Sequence, residues 1–272
     1  MNLLHRNMLP LLLVLSTLLC AVALLAGNTP SLTKLDYPKA KTVDQVDDYH
    51  GTKVADPYRW LEDTDSADTK AWVQAENKLT FSYLDQISYR PAIHERLTKL
   101  WNYERFGVPE QHGGRYFYQH NTGLQNQSVL FVADSLNAEP RLLLDPNTLS
   151  SDGTVALSGQ AITDDGKLMA YGTAASGSDW MEWRVHDVDS GKDLTDLVKW
   201  VKFSGASWSK DGKGFYYSRY AEPKEGAPLR DANYFQKLYY HRVGTAQSED
   251  QLIYERPDNK ELGFAGSVTD DG

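Results

Sequence analysis

The sequence predicts a mainly β fold over residues 103–272, and two observations support this prediction. Short runs of apolar and aromatic residues are separated by Gly, Asp and Asn turns, as in antiparallel sheets. One turn pattern also recurs: an apolar residue, a hydroxyl residue, a variable residue and then Asp-Gly, ending at Gly166, Gly212 and Gly272. We therefore expect a sheet that repeats along the chain.

The spacing of these turns predicts an incomplete β-propeller. Gly166 and Gly212 lie about 46 residues apart, and Gly212 and Gly272 about 60, or about 47 without the polar stretch 221–233. His112-Gly113-Gly114 is an earlier, degenerate copy. A period of about 40 to 50 residues with several short strands is typical of propeller blades. About three blades plus one strand cannot close a propeller, so we expect a fragment.

Residues 63–101 predict two helices ahead of the sheets. Apolar residues recur at three-to-four spacing over residues 67–85, which indicates a helix with one apolar face. A second helix is expected after Ser88, which can cap it, with Pro91 near its first turn. Its apolar stripe, which we expect to be buried, consists of Ile93, Leu97, Leu100 and Trp101.

The composition is that of a globular protein, and the charge argues against nucleic-acid partners. Of the 272 residues, 41% are hydrophobic and 24% are charged. There are 28 Lys and Arg residues against 37 Asp and Glu residues, which gives a formal net charge of -9. Because phosphate-binding surfaces are basic, we expect no nucleic acid among the partners.

The N-terminal residues have the layout of an export signal. Arg6 precedes an apolar run over residues 8–26, and a polar stretch follows at 27–31. We therefore expect a signal peptide at 1–26 and a linker at 27–36. The mature protein is expected to be exported, periplasmic or secreted, and to meet the membrane only through this signal.

The fate of this signal has three alternatives. Ala23 and Ala26 are small residues of the kind that precede signal cleavage. An uncleaved anchor is the second alternative, because about 19 apolar residues can span a bilayer. Lipid attachment at Cys20 is the third, and Leu19 argues against it because a small residue is expected there. Cys20 is the only cysteine, so the mature protein would have neither a disulfide nor a cysteine nucleophile.

The sequence offers no catalytic serine. A hydrolase nucleophile needs the sharp turn Gly-x-Ser-x-Gly, because the flanking glycines permit the strained backbone that exposes the hydroxyl. No such pentapeptide occurs. The nearest run, 205–209, lacks the second glycine and lies in a predicted blade strand. We therefore predict no catalytic residue in this chain.

No metal or cofactor site is expected either. The run Asp187–Asp193 looks like a calcium loop, but its glycine is fifth instead of sixth, so a hairpin turn is the simpler interpretation. Several histidines have no nucleophile to activate and are expected on the surface of turns or strands: His50, His112, His120, His186 and His241.

Residues 43–63 closely resemble the opening signature of the prolyl oligopeptidase family. They read VDQVDDYHGTKVADPYRWLED, a long run that is rich in rare residue types. Further similar segments follow in the expected order at 175–180, 201–204 and 236–250, and together they cover nearly everything after residue 36. The last segment resembles prolyl oligopeptidase proper more than the trypsin-like oligopeptidase B.

The resemblance implies a serine peptidase that hydrolyses short peptides on the carboxyl side of proline without a cofactor. The family joins an α/β-hydrolase domain, which carries Ser, Asp and His, to a seven-bladed propeller that gates substrate access. We therefore expect residues 37–102 to be the helical N-terminal arm of a hydrolase domain that is otherwise absent, and 103–272 the N-terminal part of the propeller. The complete enzyme is expected to be a monomer. The alternative is a non-catalytic, propeller-like binding module.

The resemblance also implies roles for two residues and one loop. Phe203 matches a propeller phenylalanine that lines the substrate pocket, with a blade-core aromatic as the alternative. Asp179 matches an acid that reaches an arginine of the missing C-terminal hydrolase domain, so it is the expected interdomain residue. Residues 221–235 match a variable loop at the domain boundary. Short proline-containing peptides are the expected substrates.

Overall fold

The computed structural model of the protein describes residues 35–223 and 233–272. The signal peptide expected at 1–26, with Cys20 inside it, lies outside the described residues, as does most of the loop 221–235. In the described part of the chain, no helix is long and apolar enough to cross a membrane. The signal and its three alternatives therefore stay predictions.

The chain divides into two compact units, and the first ends at Ala92. Its elements are strands β1 (Val46–Tyr49) and β2 (Thr52–Ala55), a 3-10 helix (Arg59–Glu62) and helix α1 (Ala67–Leu84). The two strands pair as an antiparallel hairpin. Arg59 forms ion pairs with Asp47 of the hairpin and with Asp56 just after it. The residues of the run 43–63 thus stabilise one another locally.

Both predicted helices are confirmed. Helix α1 covers the predicted range, and Ser66 caps it by accepting a hydrogen bond from the backbone N–H of Thr69 at 3.2 Å. Helix α2 spans Arg90–Trp101 and has Pro91 in its first turn. A proline is tolerated there because the first N–H groups of a helix have no partner within it.

Two details predicted for α2 are wrong. Ser88 lies two residues before the first helical residue, so it does not occupy the N-cap position. The expected buried stripe is about half exposed, with values of 50% for Ile93, 48% for Leu97 and 58% for Trp101. An apolar stripe is buried only where another element packs over it, and no described segment covers this one.

The second unit, Ile93–Gly272, contains three antiparallel sheets, which we call blades I, II and III. Blade I consists of β3 (Arg105–Phe106), β4 (Glu110–His112), β5 (Arg115–Asn121), β6 (Val129–Ala133) and β7 (Arg141–Leu144). Blade II consists of β8 (Val155–Ile162), β9 (Leu168–Ala175), β10 (Met181–Asp187) and β11 (Lys192–Val201). Blade III consists of β12 (Ser207–Trp208), β13 (Gly214–Arg219), β14 (Lys237–Arg242) and β15 (Gln251–Tyr254).

Each blade is a meander, in which strands that follow one another in the chain are neighbours in the sheet. In blade I the short strands β3 and β4 pair with different parts of β5, so they act as one interrupted first strand. The described part of the chain is therefore mainly β, and the predicted incomplete propeller is confirmed.

The recurring Asp-Gly turn has the same hydrogen bonds wherever it occurs. In blade II, the Thr163 hydroxyl donates to the Asp165 carboxylate at 2.7 Å, and the N–H of Gly166 donates to the Thr163 carbonyl at 2.8 Å. The corresponding bonds recur at 209–212 and at 269–272. All three glycines have positive φ, which explains why the pattern ends in glycine. In blades II and III the turn joins the first strand to the second.

The hydrophobic core lies between the blades. One cluster joins blades I and II: Phe117, Leu130, Val132, Leu143, Ile162, Met169, Tyr171 and Val188. A second cluster joins blades II and III: Ala170, Trp183, Val185, Val198, Val201, Trp208, Phe215 and Tyr217. Blade II thus buries both of its faces, as expected for units that are too small to form a core alone.

Candidate functional site

The candidate site is formed by the loops at one end of blades II and III. Strands β9 and β10 are joined by the hairpin 176–180, and β11 and β12 by residues 202–206, which we call the connector. Met181 pairs with both Ala174 and Val201, so the hairpin and the connector leave the sheet at the same end. Strands alternate in direction, so β13 ends and β14 begins at this end as well.

Phe203, the expected pocket residue, lies in the connector. Its side chain is 65% exposed, and its φ of 55° lies in the left-handed region. A blade-core aromatic would be buried, so that alternative is wrong. Its role in a substrate pocket stays a prediction, and an exposed ring at the end of the blades is compatible with it.

Asp179, the expected interdomain residue, is exposed in the hairpin between β9 and β10. The register of β10 with β11 brings it to the same end of blade II as Phe203. The structure therefore places the two residues that the resemblance singled out at one end of one sheet. An exposed carboxylate is free to pair with a guanidinium of another domain, and this role also stays a prediction.

Aromatic rings surround the base of the hairpin. Trp180 lies edge-on to Trp200 at 5.9 Å and to Tyr220 at 6.2 Å between ring centroids. A groove of about 530 Å³ opens beside these rings on the face of blade II. Its polar lining includes both charge signs, from Glu182, Arg184, Asp193 and Lys199. Sequence reasoning missed this groove, because it depends on which strand faces meet.

Two of the five histidines contradict the surface position expected for them. His241 on β14 is 0% exposed and His186 on β10 is 4% exposed, whereas His50 is exposed in a turn. The other two, His112 and His120, are half-buried. Burying a polar ring costs least where partners satisfy its nitrogens, and carboxylates do so for both nitrogens of His241 and for Nδ1 of His186.

His241 is held between two carboxylates from different blades. Its Nδ1 lies 2.7 Å from Asp250 just before β15, and its Nε2 lies 2.9 Å from Asp196 on β11 of blade II. The Tyr217 hydroxyl donates to the second oxygen of Asp250 at 2.5 Å. Burial lowers the pKa of His241, but the hydrogen bonds to Asp196 and Asp250 outweigh it and raise that pKa to about 9.

Blade II repeats part of this arrangement. His186 Nδ1 lies 2.8 Å from Asp193 on β11, and the Tyr171 hydroxyl donates to the same carboxylate at 2.6 Å. Burial, followed by the bond to Asp193, raises the pKa of Tyr171. In blades II and III, a Tyr thus occurs on the second strand, a His on the third, and an Asp on the fourth strand or just before it. Comparing the repeats position by position could have found this signal in the sequence.

The serine of the elbow-like run 205–209 has a structural position. Ser207 lies in β12, and its Oγ accepts a hydrogen bond from the Val268 N–H at 3.0 Å. The interpretation of this run as a blade strand is confirmed. The run 187–193 likewise contains the turn between β10 and β11. Within the described residues, no cluster of three or more His, Cys, Asp or Glu side chains is arranged to hold a metal ion.

Meander sheets that pack face to face and share their cores define a β-propeller domain, here incomplete. The chain matches the family described as "Prolyl oligopeptidase, N-terminal beta-propeller domain" over residues 38–272. It therefore belongs to the prolyl oligopeptidase family, as the run 43–63 and the later segments predicted.

Similar proteins carry peptidase names. The chain is 41% identical over 257 residues to "Prolyl endopeptidase" of Elizabethkingia meningoseptica, and the match covers 94% of this chain and 36% of that protein. It is 36% identical to "Prolyl oligopeptidase A" of Galerina marginata, with 90% of this chain and 37% of that protein covered. The chain thus spans little more than a third of the length of these relatives.

Solved structures of the family share the fold. A prolyl oligopeptidase B of Galerina marginata, bound to a 25mer macrocyclization substrate, matches with a TM-score of 0.75 at 30% identity, over 88% of this chain and 36% of that one. A prolyl endopeptidase structure matches at 42% identity with a TM-score of 0.57, over 87% of this chain and 34% of that one.

Proposed function

We propose that this chain is the N-terminal part of an exported serine endopeptidase that hydrolyses short peptides after proline. The observation that carries the proposal is the 41% identity to a prolyl endopeptidase over nearly the whole chain. In this proposal, the serine, histidine and aspartate belong to a hydrolase domain encoded beyond Gly272. That domain supplies the acyl-transfer chemistry, in which a base-activated serine attacks the peptide carbonyl.

The propeller would contribute binding and access, not bond cleavage. Phe203 offers an exposed aromatic surface against which a peptide side chain or a proline ring can pack. Asp179, at the same end of blade II, would pair with an arginine of the hydrolase domain and fix the two domains in register. A propeller that covers the active site would admit short peptides and exclude folded proteins, which is the gating role proposed here.

The test of this proposal compares the full-length product of the gene with residues 27–272 alone. We expect the full-length protein to cleave a short chromogenic peptide after proline and to spare a matched peptide with alanine at that position. The isolated segment is expected to cleave neither and to resist a serine-directed covalent probe. A reading frame that stops near Gly272 without a Gly-x-Ser-x-Gly would favour the binding module, and turnover by the isolated segment would contradict the proposal.

Replacing Phe203 with alanine is expected to lower kcat/KM of the full-length enzyme about tenfold, or about 1.4 kcal/mol of transition-state stabilisation. Its melting temperature should change little, because truncating an exposed side chain usually costs within about 0.5 kcal/mol. Leu136→Ala is a matched control, since Leu136 is also 65% exposed and lies in a loop of blade I. A large melting shift with normal kinetics would place the role of Phe203 in stability instead.

Export makes a separate prediction about the mature N-terminus. The native protein should begin near Leu24 or Gly27 and be recovered outside the cytoplasm, because a charged start, an apolar run and small residues compose a cleavable signal. Mass spectrometry of the N-terminal peptide from cell fractions measures this. Intact Met1 on a soluble cytoplasmic species would contradict export, and intact Met1 in the membrane fraction would indicate the anchor.

A further inference from the structure

The connector that carries Phe203 has an unusual backbone. Trp200, at the end of β11, and Phe203 have φ values of 63° and 55°, both in the left-handed region. This region is disfavoured for residues with a Cβ, and bulky residues adopt it only where the surrounding structure imposes it. Something in the structure must therefore hold these two residues in place.

Hydrogen bonds from the neighbouring blade fasten residues on both sides of Phe203. The Trp200 carbonyl accepts from the Tyr220 N–H at 3.0 Å, and the Ser204 hydroxyl oxygen accepts from the Ser218 N–H at 2.8 Å. Both donors belong to blade III or directly follow its strand β13. The last residues of β11 and the connector are thus fastened to the neighbouring blade.

Lys202 makes the largest set of contacts in the connector. Its carbonyl accepts from Gln236 Nε2 at 2.9 Å, and its Nζ donates to Asn233 Oδ1 at 3.2 Å. The same ammonium lies 4.3 Å from the ring centroid of Trp180 in the hairpin of blade II. A single side chain thus joins the hairpin, the connector and the segment that leads into β14.

The burial of Lys202 distinguishes this contact from an ordinary surface lysine. Lys202 is 8% exposed, whereas the side chain of Lys199, three residues earlier, is 45% exposed and pairs with Glu182 at 3.7 Å. A desolvated ammonium over an indole face interacts more strongly than an exposed one. Lys202 and Ser204 are both buried, whereas Phe203, which lies between them in the chain, is largely exposed.

We propose that Lys202 is a positioning residue that holds the connector in its left-handed conformation and thereby presents the Phe203 ring to substrate. The kinetic part of this inference rests on the function proposed above. The conformational part does not, because it concerns only contacts within the described residues.

The kinetic test is a double-mutant cycle in the full-length enzyme with a short proline peptide. Lys202→Met keeps the length of the side chain and removes its charge, and we expect it to lower kcat/KM about tenfold, as Phe203→Ala does. If Lys202 acts through Phe203, Lys202→Met should cause little further loss in the Phe203→Ala background. Lys202→Arg, which keeps a cation and a donor, should retain most of the activity. Lys213→Met, in an exposed turn at the opposite end of blade III, should retain all of it.

The conformational test is limited proteolysis with chymotrypsin, and it needs no peptidase activity. Proteases cut segments that can open locally, so an exposed Phe203 in a fastened connector should be cut slowly. Lys202→Met should be cut after Phe203 at least about tenfold faster, and Lys213→Met at the parent rate. Asn233→Ala removes one hydrogen bond of the Lys202 ammonium. This variant replaces Lys202→Met in the proteolysis test if Lys202→Met does not fold.

The outcomes separate the two claims. Additive losses in the cycle, or an unchanged kcat/KM in Lys202→Met, would overturn the positioning role. A full-length protein without turnover would contradict the proposed function, and proteolysis alone would then decide the role of Lys202. Cleavage after Phe203 at the parent rate in the folded Lys202→Met and Asn233→Ala variants would overturn that role as well.

Discussion

Raising the pH from about 7 to about 10 is expected to destabilise the contact between blades II and III, because His241 loses a proton there. A neutral imidazole has one N–H, yet both ring nitrogens of His241 face carboxylates, at 2.7 Å to Asp250 and 2.9 Å to Asp196. Two acceptors require two donors, so the ring in this position is an imidazolium. When it loses a proton, one buried carboxylate loses its donor.

The direction of the effect follows from the raised pKa. Burial lowers the pKa of His241, and the bonds to Asp196 and Asp250 raise it to about 9 in the folded protein, above the ordinary value of 6.5. The folded state therefore binds the proton more tightly than the unfolded state. This stabilisation is complete below about pH 6.5 and is lost as the pH rises through about 9, on the order of 3 kcal/mol in all.

The neighbouring ionisable groups do not reverse this effect. Burial raises the pKa of Asp196, but the hydrogen bonds from His241 and from the Gly244 N–H lower it by more than burial raises it. The net pKa is therefore lowered, and this carboxylate stays charged. Burial, and then the bond to Asp250, raise the pKa of Tyr217, which keeps its phenol neutral in this range. Of the three groups His241, Asp196 and Tyr217, His241 is therefore the one that titrates between neutral and alkaline pH.

Urea unfolding from about pH 6 to about pH 10 measures this dependence. His241→Gln should be less stable at neutral pH and should lose most of the alkaline dependence, because glutamine does not titrate. Side-chain ¹⁵N NMR gives a direct check, with two protonated ring nitrogens expected for His241 at pH 8. His186, which has a carboxylate at Nδ1 alone, is the internal comparison. An unchanged pH dependence in His241→Gln would refute the assignment.

Replacing Trp183 with alanine is expected to cause the largest loss of stability from a single truncation in blade II. The indole is 2% exposed in the core between blades II and III, and truncating such a ring costs about 3 to 5 kcal/mol. It lies across two glycines that pair with each other on adjacent strands, Gly172 and Gly159. The ring fills the space that these glycines leave open.

The glycines give the converse test. A Cβ at Gly172 would lie 3.0 Å from the indole of Trp183, closer than a normal contact, and φ at this position is not positive. Gly172→Ala should therefore displace the ring and cost about 1 to 3 kcal/mol through overpacking. Gly205→Ala is the matched control, because nothing lies within 4 Å of its added Cβ. Equal urea midpoints for the two glycine variants would contradict this account of the core.

Local patterns in the sequence were sufficient for several features. The Asp-Gly turn needs only a hydroxyl, a carboxylate and a glycine within four residues. Its repetition along the chain therefore predicts the blades without any knowledge of the contacts between them. The first helix likewise follows from apolar spacing alone. The long run 43–63 indicated the family for the same reason, since it can be read residue by residue.

Tertiary contacts alone decided the features that depend on residues far apart in the sequence. His241 and Asp196 are 45 residues apart in the sequence, and their hydrogen bond joins blades II and III. The sequence predicts a surface histidine at this position, whereas His241 is buried. Phe203 is exposed between Lys202 and Ser204, whose partners are Gln236, just before β14, and Ser218 on β13. A sequence shows which groups can be paired, whereas the packing of one blade against the next determines which pairs form and which side chains remain exposed.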